Sequence, residues 1–101
     1  MDVFPAVAAT GVLKIFDSAT PGMGQMNYCV LEVGTGGTLT VEGSLLGNEW
    51  VPLILTSLGD NSEVAEIVAA GLYRVLISGI RTVRINVSVA GGFDLAVGMS
   101  A

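Results

Sequence analysis

Histidine is absent from this chain of 101 residues, and cysteine occurs once, at Cys29. Without histidine, the chain lacks the commonest general base, the usual activator of a nucleophile and the usual zinc ligand. A single cysteine can form neither a disulfide within the chain nor a thiolate metal site. Because Cys29 stands in an apolar run, we expect a buried, unreactive thiol. A pair of carboxylates stays open as a catalytic group, but the spacing of the nine acidic residues does not require two that face each other across a cleft. We therefore predict that the chain is not an enzyme and has no catalytic residues.

Positive charge is also scarce. The four cationic residues are outnumbered by nine acidic ones, which gives a net charge of −5. Proteins that bind nucleic acid need clustered positive charge to displace counterions from the phosphates. We therefore predict no nucleic-acid partner.

Long hydrophobic runs are missing as well. A membrane-spanning helix needs about 18 or more consecutive apolar residues, and no such run occurs. The first residues, Met1–Pro5, include an acidic side chain and no basic one, unlike the start of a signal peptide. We expect neither a membrane partner nor export through a signal.

Apolar residues and glycine are what the chain has in abundance. Hydrophobic residues make up 51% of the sequence, with 14 glycines, while charged residues are only 13%. A chain of this length forms one domain and cannot bury that much apolar surface inside itself. The excess predicts contact with other subunits, so we expect a homo-oligomer.

Alternating hydrophobicity predicts β-strands. In Thr82–Ala90, every second residue from Val83 to Val89 is apolar, which is typical of a strand with one buried face. The alternation resumes in Phe93–Met99 after Gly91-Gly92, and this pattern predicts a β-hairpin. Similar patterns predict strands at Val12–Phe16, Asn27–Val33, Thr38–Ser44, Glu49–Thr56 and Leu72–Ile77.

Three segments need separate interpretation. Gly34–Gly37 is predicted to be the turn of a second hairpin, and Pro52 to place its strand at a sheet edge or to cause a bulge. Ser62–Ala70 has helical spacing, with a capping pattern before it and Gly71 after it, but it could also form a short strand. Because its surroundings are β, we favour a strand or irregular structure.

The predicted fold is all-β: a single antiparallel β-sandwich, jelly-roll-like, with seven or eight short strands over residues 12–101. Residues 1–11 are small and apolar and are predicted to form a flexible N-terminal arm outside the sheets. In that arm, Val3, Phe4 and Val7 are candidate contacts with an adjacent subunit.

Two loops could suggest ligand sites, but neither has the necessary pattern. Gly59–Glu63 offers several oxygen atoms without the spacing of a calcium loop. Gly34–Gly37 lies between two predicted strands, whereas a phosphate-binding loop opens a helix. We predict no metal ligands and no cofactor.

The remaining candidates are arginines and aromatic residues. Arg74, Arg81 and Arg84 lie within eleven residues on two predicted strands that we expect to be adjacent. They form either an interface patch that pairs with carboxylates or ordinary solubilising charge. The predicted core anchors are Trp50, Tyr73 and Phe93, although Trp50 could instead be a platform for a ligand such as a sugar.

Several motifs resemble those of small β-domains in tailed-phage virion proteins, a group that includes capsid decoration (cement) proteins, head fibres and tail appendages. The resemblance covers about residues 27–100. Its motifs are GTLTVEGS at 37–44, EWVPL at 49–53, AGLYRV at 70–75, GIRTVRI at 79–85 and the closing pair of strands.

The resemblance implies a jelly-roll-like sandwich that is often oligomeric, commonly trimeric in members that decorate capsids, and that has no catalytic residues. We therefore expect a virion structural protein, assembled in the host cytoplasm, that cements the capsid shell. Its partners would be copies of itself, as a trimer, and the major capsid protein. The alternative is a tail or fibre component, or a receptor- or carbohydrate-binding module.

Overall fold

A computed structural model describes residues 2–17, 28–77 and 79–100 of the protein. This part of the chain contains ten β-strands and no helix, and therefore no helix that could span a membrane. The strands are β1 (Asp2–Val7), β2 (Gly11–Asp17), β3 (Tyr28–Val33), β4 (Thr38–Ser44), β5 (Val51–Pro52), β6 (Leu55–Ser57), β7 (Glu63–Val64), β8 (Gly71–Leu76), β9 (Thr82–Val89) and β10 (Phe93–Ser100).

The strands form two antiparallel sheets. One has the order β1-β10-β3-β8-β6-β7 and the other the order β2-β9-β4-β5. Without the short β6 and β7, each sheet has four strands, and their order is that of a jelly roll. From β1 to β4 the chain alternates between the two sheets, and β5 then stays in the same sheet as β4. The prediction of an all-β, jelly-roll-like sandwich is confirmed.

The core lies between the two sheets. Alternate residues of β3, β4, β8 and β9 point into it, as predicted for Val83, Ile85 and Val87 of β9, which are all buried. Val89 departs from the prediction because it is 51% exposed. A register shift between β4 and β9 at Thr38 explains this, since a bulge changes the direction of the following side chains.

Both predicted hairpins are wrong. β3 and β4 lie in different sheets, as do β9 and β10, so Gly34–Gly37 and Gly91-Gly92 connect the sheets. The physical reason is long-range pairing: β10 pairs with β3, and β9 pairs with β4. Alternating strands around a glycine turn look the same locally in both arrangements.

The two glycine connections pack against each other at one end of the sandwich, here called the glycine end (residues 34–37 and 91–92). Gly34 N donates a hydrogen bond to Asp94 O at 2.8 Å. A Cβ atom on Gly91 would lie 1.9 Å from the carbonyl oxygen of Gly36, and one on Gly37 would lie 1.9 Å from the Phe93 ring. The close approach of the connections therefore requires glycine at both positions.

The structure corrects the prediction that residues 1–11 lie outside the sheets. Asp2–Val7 is the edge strand β1, paired with β10, and its Val7 side chain is buried in the core. The register shifts between Phe4 and Val7, and Ala6 has a φ angle of 48°. This bulge breaks the period of two, so the sequence of the strand shows no alternation.

The segment 49–56 also differs from its prediction. It is two short strands, β5 in the four-stranded sheet and β6 in the six-stranded sheet, and Pro52 lies on the edge strand β5. The ambiguous segment after it, Ser62–Ala70, contains the short strand β7. Ile67 N donates a hydrogen bond to Leu39 O at 2.8 Å. The segment therefore consists of a short strand and irregular structure, which is the alternative that the sequence analysis favoured over a helix.

Candidate contact surfaces

Two leucines project from a turn at the end of the sandwich opposite the glycine end. Leu45 is 62% exposed and Leu46 82%. Turns are normally polar, so two adjacent exposed leucines are unusual there. The turn is ordered by the Ser44 hydroxyl, which accepts a hydrogen bond from Gly47 N at 2.8 Å. The leucines are thus presented to solvent by a defined backbone.

These leucines border an apolar groove of about 550 Å³. A Cβ atom on Gly43 would lie 2.8 Å from Ile80, so glycine at this position leaves room for Ile80 and the neighbouring Leu53. Val51, on the same groove, is 61% exposed. We call this surface the apolar end; it comprises Leu45, Leu46, Val51, Leu53 and Ile80.

A polar cluster lies on the outer face of the four-stranded sheet. Glu42 and Arg84 are directly opposite each other on β4 and β9, and Arg84 Nε donates a hydrogen bond to Glu42 Oε1 at 2.6 Å. The guanidinium group also lies 4.3 Å from the centre of the Trp50 ring. Arg84 therefore has a carboxylate and an aromatic partner within its own chain.

The predicted core anchors have different positions. Tyr73 and Phe93 are buried in the core, and the Tyr73 hydroxyl donates to Ala69 O at 2.9 Å. Trp50 is only half-buried and does not belong to the core. Its position corrects the prediction, because the chain at Trp50 has not yet entered β5 and the ring lies against Arg84 on the outer face.

The three arginines do not form one patch. β8 and β9 belong to different sheets, so Arg74 and Arg84 lie on opposite outer faces of the sandwich. Arg74 is positioned over the Tyr28 ring, 4.7 Å from its centre. Arg81 is exposed beside Ile80 at the apolar end. β8 and β9 were expected to be adjacent, and this prediction is wrong because each pairs with strands far away in the sequence, as in the predicted hairpins.

The three candidate contact residues of the N-terminal segment differ in how far they are exposed to solvent. Val3 is 61% exposed, Phe4 is partly buried against the core, and Val7 is fully buried. Val3 also borders a second groove, of about 500 Å³, on the outer face of the six-stranded sheet. Glu32 and Asp94 are the charged residues that line it.

The structure explains the shifted pKa values of two further groups, Cys29 and Asp60. Burial raises the pKa of the Cys29 thiol to about 12. The Ser62 hydroxyl and backbone N–H donate to Asp60, which lowers the pKa of that carboxyl group. Within residues 2–17, 28–77 and 79–100, the structure has no group of three or more side chains that could hold a metal ion.

Sequence reasoning missed the apolar end, although a signal was present. Leu45–Asn48 joins the predicted strands Thr38–Ser44 and Glu49–Thr56, and the apolar excess predicts an interface without locating it. Leucine in place of the expected polar turn residues was the sign of an exposed contact.

No family model and no curated protein matches this chain. Two solved structures are similar in fold. The SPBc2 prophage-derived protein YomS has a TM-score of 0.64 and 18% identity, over 96% of this chain and 92% of that chain. The PBSX exported protein XepA has a TM-score of 0.58 and 16% identity, over 96% of this chain but only 38% of that one. At this level of identity the likeness shows a shared fold, and one of the proteins that share it is prophage-derived.

Proposed function

We propose that this protein is a structural protein of a phage particle, which forms a trimer with copies of itself and decorates the capsid. The observation that carries the proposal is the apolar end, where Leu45, Leu46 and Val51 are exposed together beside a groove. Exposed apolar surface of this kind on a small protein is typical of an interaction site.

A second copy of the chain is the partner that we assign to the apolar end. Burying one leucine side chain contributes roughly 1.5–3 kcal/mol, so Leu45, Leu46 and Val51 together offer several kcal/mol for each subunit contact. In a closed oligomer every subunit uses this surface, and the exposed Glu49 lies on the groove at its rim.

Two observations support the association with a phage. The fold is shared with the prophage-derived YomS. The motifs at 37–44, 49–53, 70–75 and 79–85 resemble those of virion β-domains, whose decorating members are commonly trimeric. The attachment to the major capsid protein is inferred from this resemblance.

Leu46→Asp is expected to dissociate the trimer, because it places a charge in a contact that must exclude water. We expect at least a tenfold weaker association, measured as molar mass by light scattering during size exclusion. The melting temperature of the monomer should change little, since Leu46 is exposed.

Val68→Asp is the matched control. Val68 is 66% exposed but follows Ile67, which pairs with Leu39 near the other end of the sandwich. This variant should stay trimeric. A wild-type chain that is monomeric at micromolar concentration would overturn the self-assembly proposal, and dissociation by V68D alone would move the interface away from the apolar end.

The capsid assignment predicts where the protein is found in the particle. Mass spectrometry of separated heads and tails, from the phage that encodes the chain, should detect it in heads at a fixed ratio to the major capsid protein. Detection in tails alone would support the alternative of a tail or fibre component. Absence from both fractions would contradict a virion protein.

A further inference from the structure

We propose that strand β1 is exchanged between copies, so that β1 of one subunit pairs with β10 of its neighbour. The inference rests on the self-assembly proposed above, and it adds a second contact between subunits to the one at the apolar end. Four features of β1 carry it: its attachment along one edge, its hinge, the site that it fills and its irregular outer edge.

β1 is attached to its own sandwich along one edge only. It is an edge strand, paired with β10 and with no other strand. Val7 is its one fully buried side chain, and Phe4 is partly buried, while the other residues of the strand are exposed. The bulge holds Ala6 in the left-handed region, at φ 48°, which is unfavourable for a residue with a Cβ atom. Release of this strand therefore breaks its pairing with one neighbour and exposes two apolar side chains, Val7 and Phe4.

A short hinge follows β1. Ala8, Ala9 and Thr10 are exposed and join the six-stranded sheet to the four-stranded sheet. Gly11, at the start of β2, has a φ angle of 110° and open space where a Cβ atom would lie. Short hinges that must reverse the chain favour exchange of the segment they connect. If the hinge straightens, β1 extends away from its own sandwich.

The site that β1 leaves must be refilled. β10 contributes Phe93, Leu95 and Val97 to the core, and loss of β1 would expose this region and leave one edge of β10 without hydrogen bonds. The same strand from another copy restores every contact, including the hydrogen bond from Ala6 N to Asp94 Oδ1 at 2.9 Å. Exchange therefore keeps the contacts of β1, which now hold one subunit non-covalently to its neighbour.

The outer edge of β1 is irregular. Pro5 has no N–H group, and the bulge at Ala6 distorts the edge, which disfavours pairing with a further strand. Each β10 therefore accepts one strand, and the rotation between neighbouring subunits decides whether the exchange closes into a ring.

The register of β1 and β10 provides a direct test. Val3 and Ala96 are opposite each other, with Val3 exposed, so the double variant V3C/A96C places two cysteines across this pair. We expect that oxidation of the assembled protein shifts most of the chain from the monomer to multiples of its mass on a denaturing, non-reducing gel. The native Cys29 does not compete, because it is fully buried.

The matched control is A96C/E32C. Ala96 and Glu32 are opposite each other on β10 and β3, two strands of the same sandwich, so this disulfide should leave the chain at monomer mass. The single variants V3C and A96C should also stay at monomer mass, which excludes random oxidation between exposed cysteines. A short bismaleimide, applied to the same variants, gives the same readings where the disulfide geometry is unfavourable.

The outcomes separate this inference from the proposed function. If V3C/A96C crosslinks only within the monomer while light scattering shows an oligomer, strand exchange is overturned and self-assembly stands. If the protein is monomeric by light scattering, self-assembly itself fails. Intermolecular crosslinks in V3C/A96C, with none in A96C/E32C, establish the exchange.

Discussion

Gly91→Ala is expected to lower the free energy of unfolding by about 3 kcal/mol or more, at the upper end of the cost of overpacking. The added Cβ atom would lie 1.9 Å from the carbonyl oxygen of Gly36 and 2.8 Å from its carbonyl carbon. Both atoms belong to the backbone, so no side-chain rotation can relieve the clash, and the two connections must separate. Urea denaturation followed by circular dichroism measures the loss.

Gly98→Ala is the control for the chemistry of the substitution. Gly98 lies in β10, outside the left-handed region of φ, and no atom lies within 4 Å of its ideal Cβ position. Its replacement should change the stability by no more than about 0.5 kcal/mol. If Gly91→Ala and Gly98→Ala lowered the free energy of unfolding by the same small amount, this result would contradict the close packing at the glycine end.

The free energy lost in Gly91→Ala matters because small domains have a free energy of unfolding of only about 5–15 kcal/mol. At the glycine end, the connection before β4 is packed against the connection before β10, and Gly34 N is bonded to Asp94 O. These contacts set the two sheets against each other. The apolar end, formed by the opposite ends of the same strands, depends on this arrangement for its shape.

The class of fold could be predicted from the sequence because it depends on local patterns. The alternation in β8, with Tyr73 and Val75 buried, and in β9, with Val83 and Ile85 buried, follows directly from a period of two. The partner of each strand could not be predicted in the same way. Whether Gly91-Gly92 closes a hairpin or crosses between the sheets is decided by the pairing of β10 with β3, far away in the sequence.

Bulges account for two of the departures from the predicted burial, at Val89 and in β1. A register shift beside Thr38 exposes Val89, and another beside Phe4 hides the strand character of Asp2–Val7. A bulge inserts one residue into the alternation and leaves no clear mark in composition. The errors therefore lie at strand ends and edges, where pairing is least regular.

The contact surfaces were less predictable than the fold. Arg74 and Arg84 are close in sequence, but the change of sheet between β8 and β9 separates them. Trp50 was expected in the core because apolar residues follow it on a predicted strand, yet its position before β5 places the ring against Arg84. The exposed Leu45 and Leu46 could have been found, since leucine is rare in ordered polar turns.

Gly37 and Phe93 are expected to show a large coupling energy. A Cβ atom on Gly37 would lie 1.9–2.7 Å from three atoms of the Phe93 ring, while the backbone of Gly37 itself is outside the left-handed region. Gly37→Ala should therefore cost about 1–3 kcal/mol in the wild-type chain, because the buried ring has no space to move. Phe93→Ala should cost about 3–5 kcal/mol through the loss of a fully buried side chain.

In the Phe93→Ala background, the same Gly37→Ala change should cost less than about 0.5 kcal/mol, since the methyl group then occupies space that the ring has left. The double-mutant cycle should give a coupling energy of about 1–3 kcal/mol, measured by urea denaturation. Phe93→Leu serves in place of Phe93→Ala if the latter is unfolded. Gly98→Ala in the same background should be additive. Additive costs for Gly37 and Phe93 would mean that the ring does not lie against Gly37. The glycine end would then be held by the close approach of Gly91 to Gly36 and by the hydrogen bond from Gly34 N to Asp94 O.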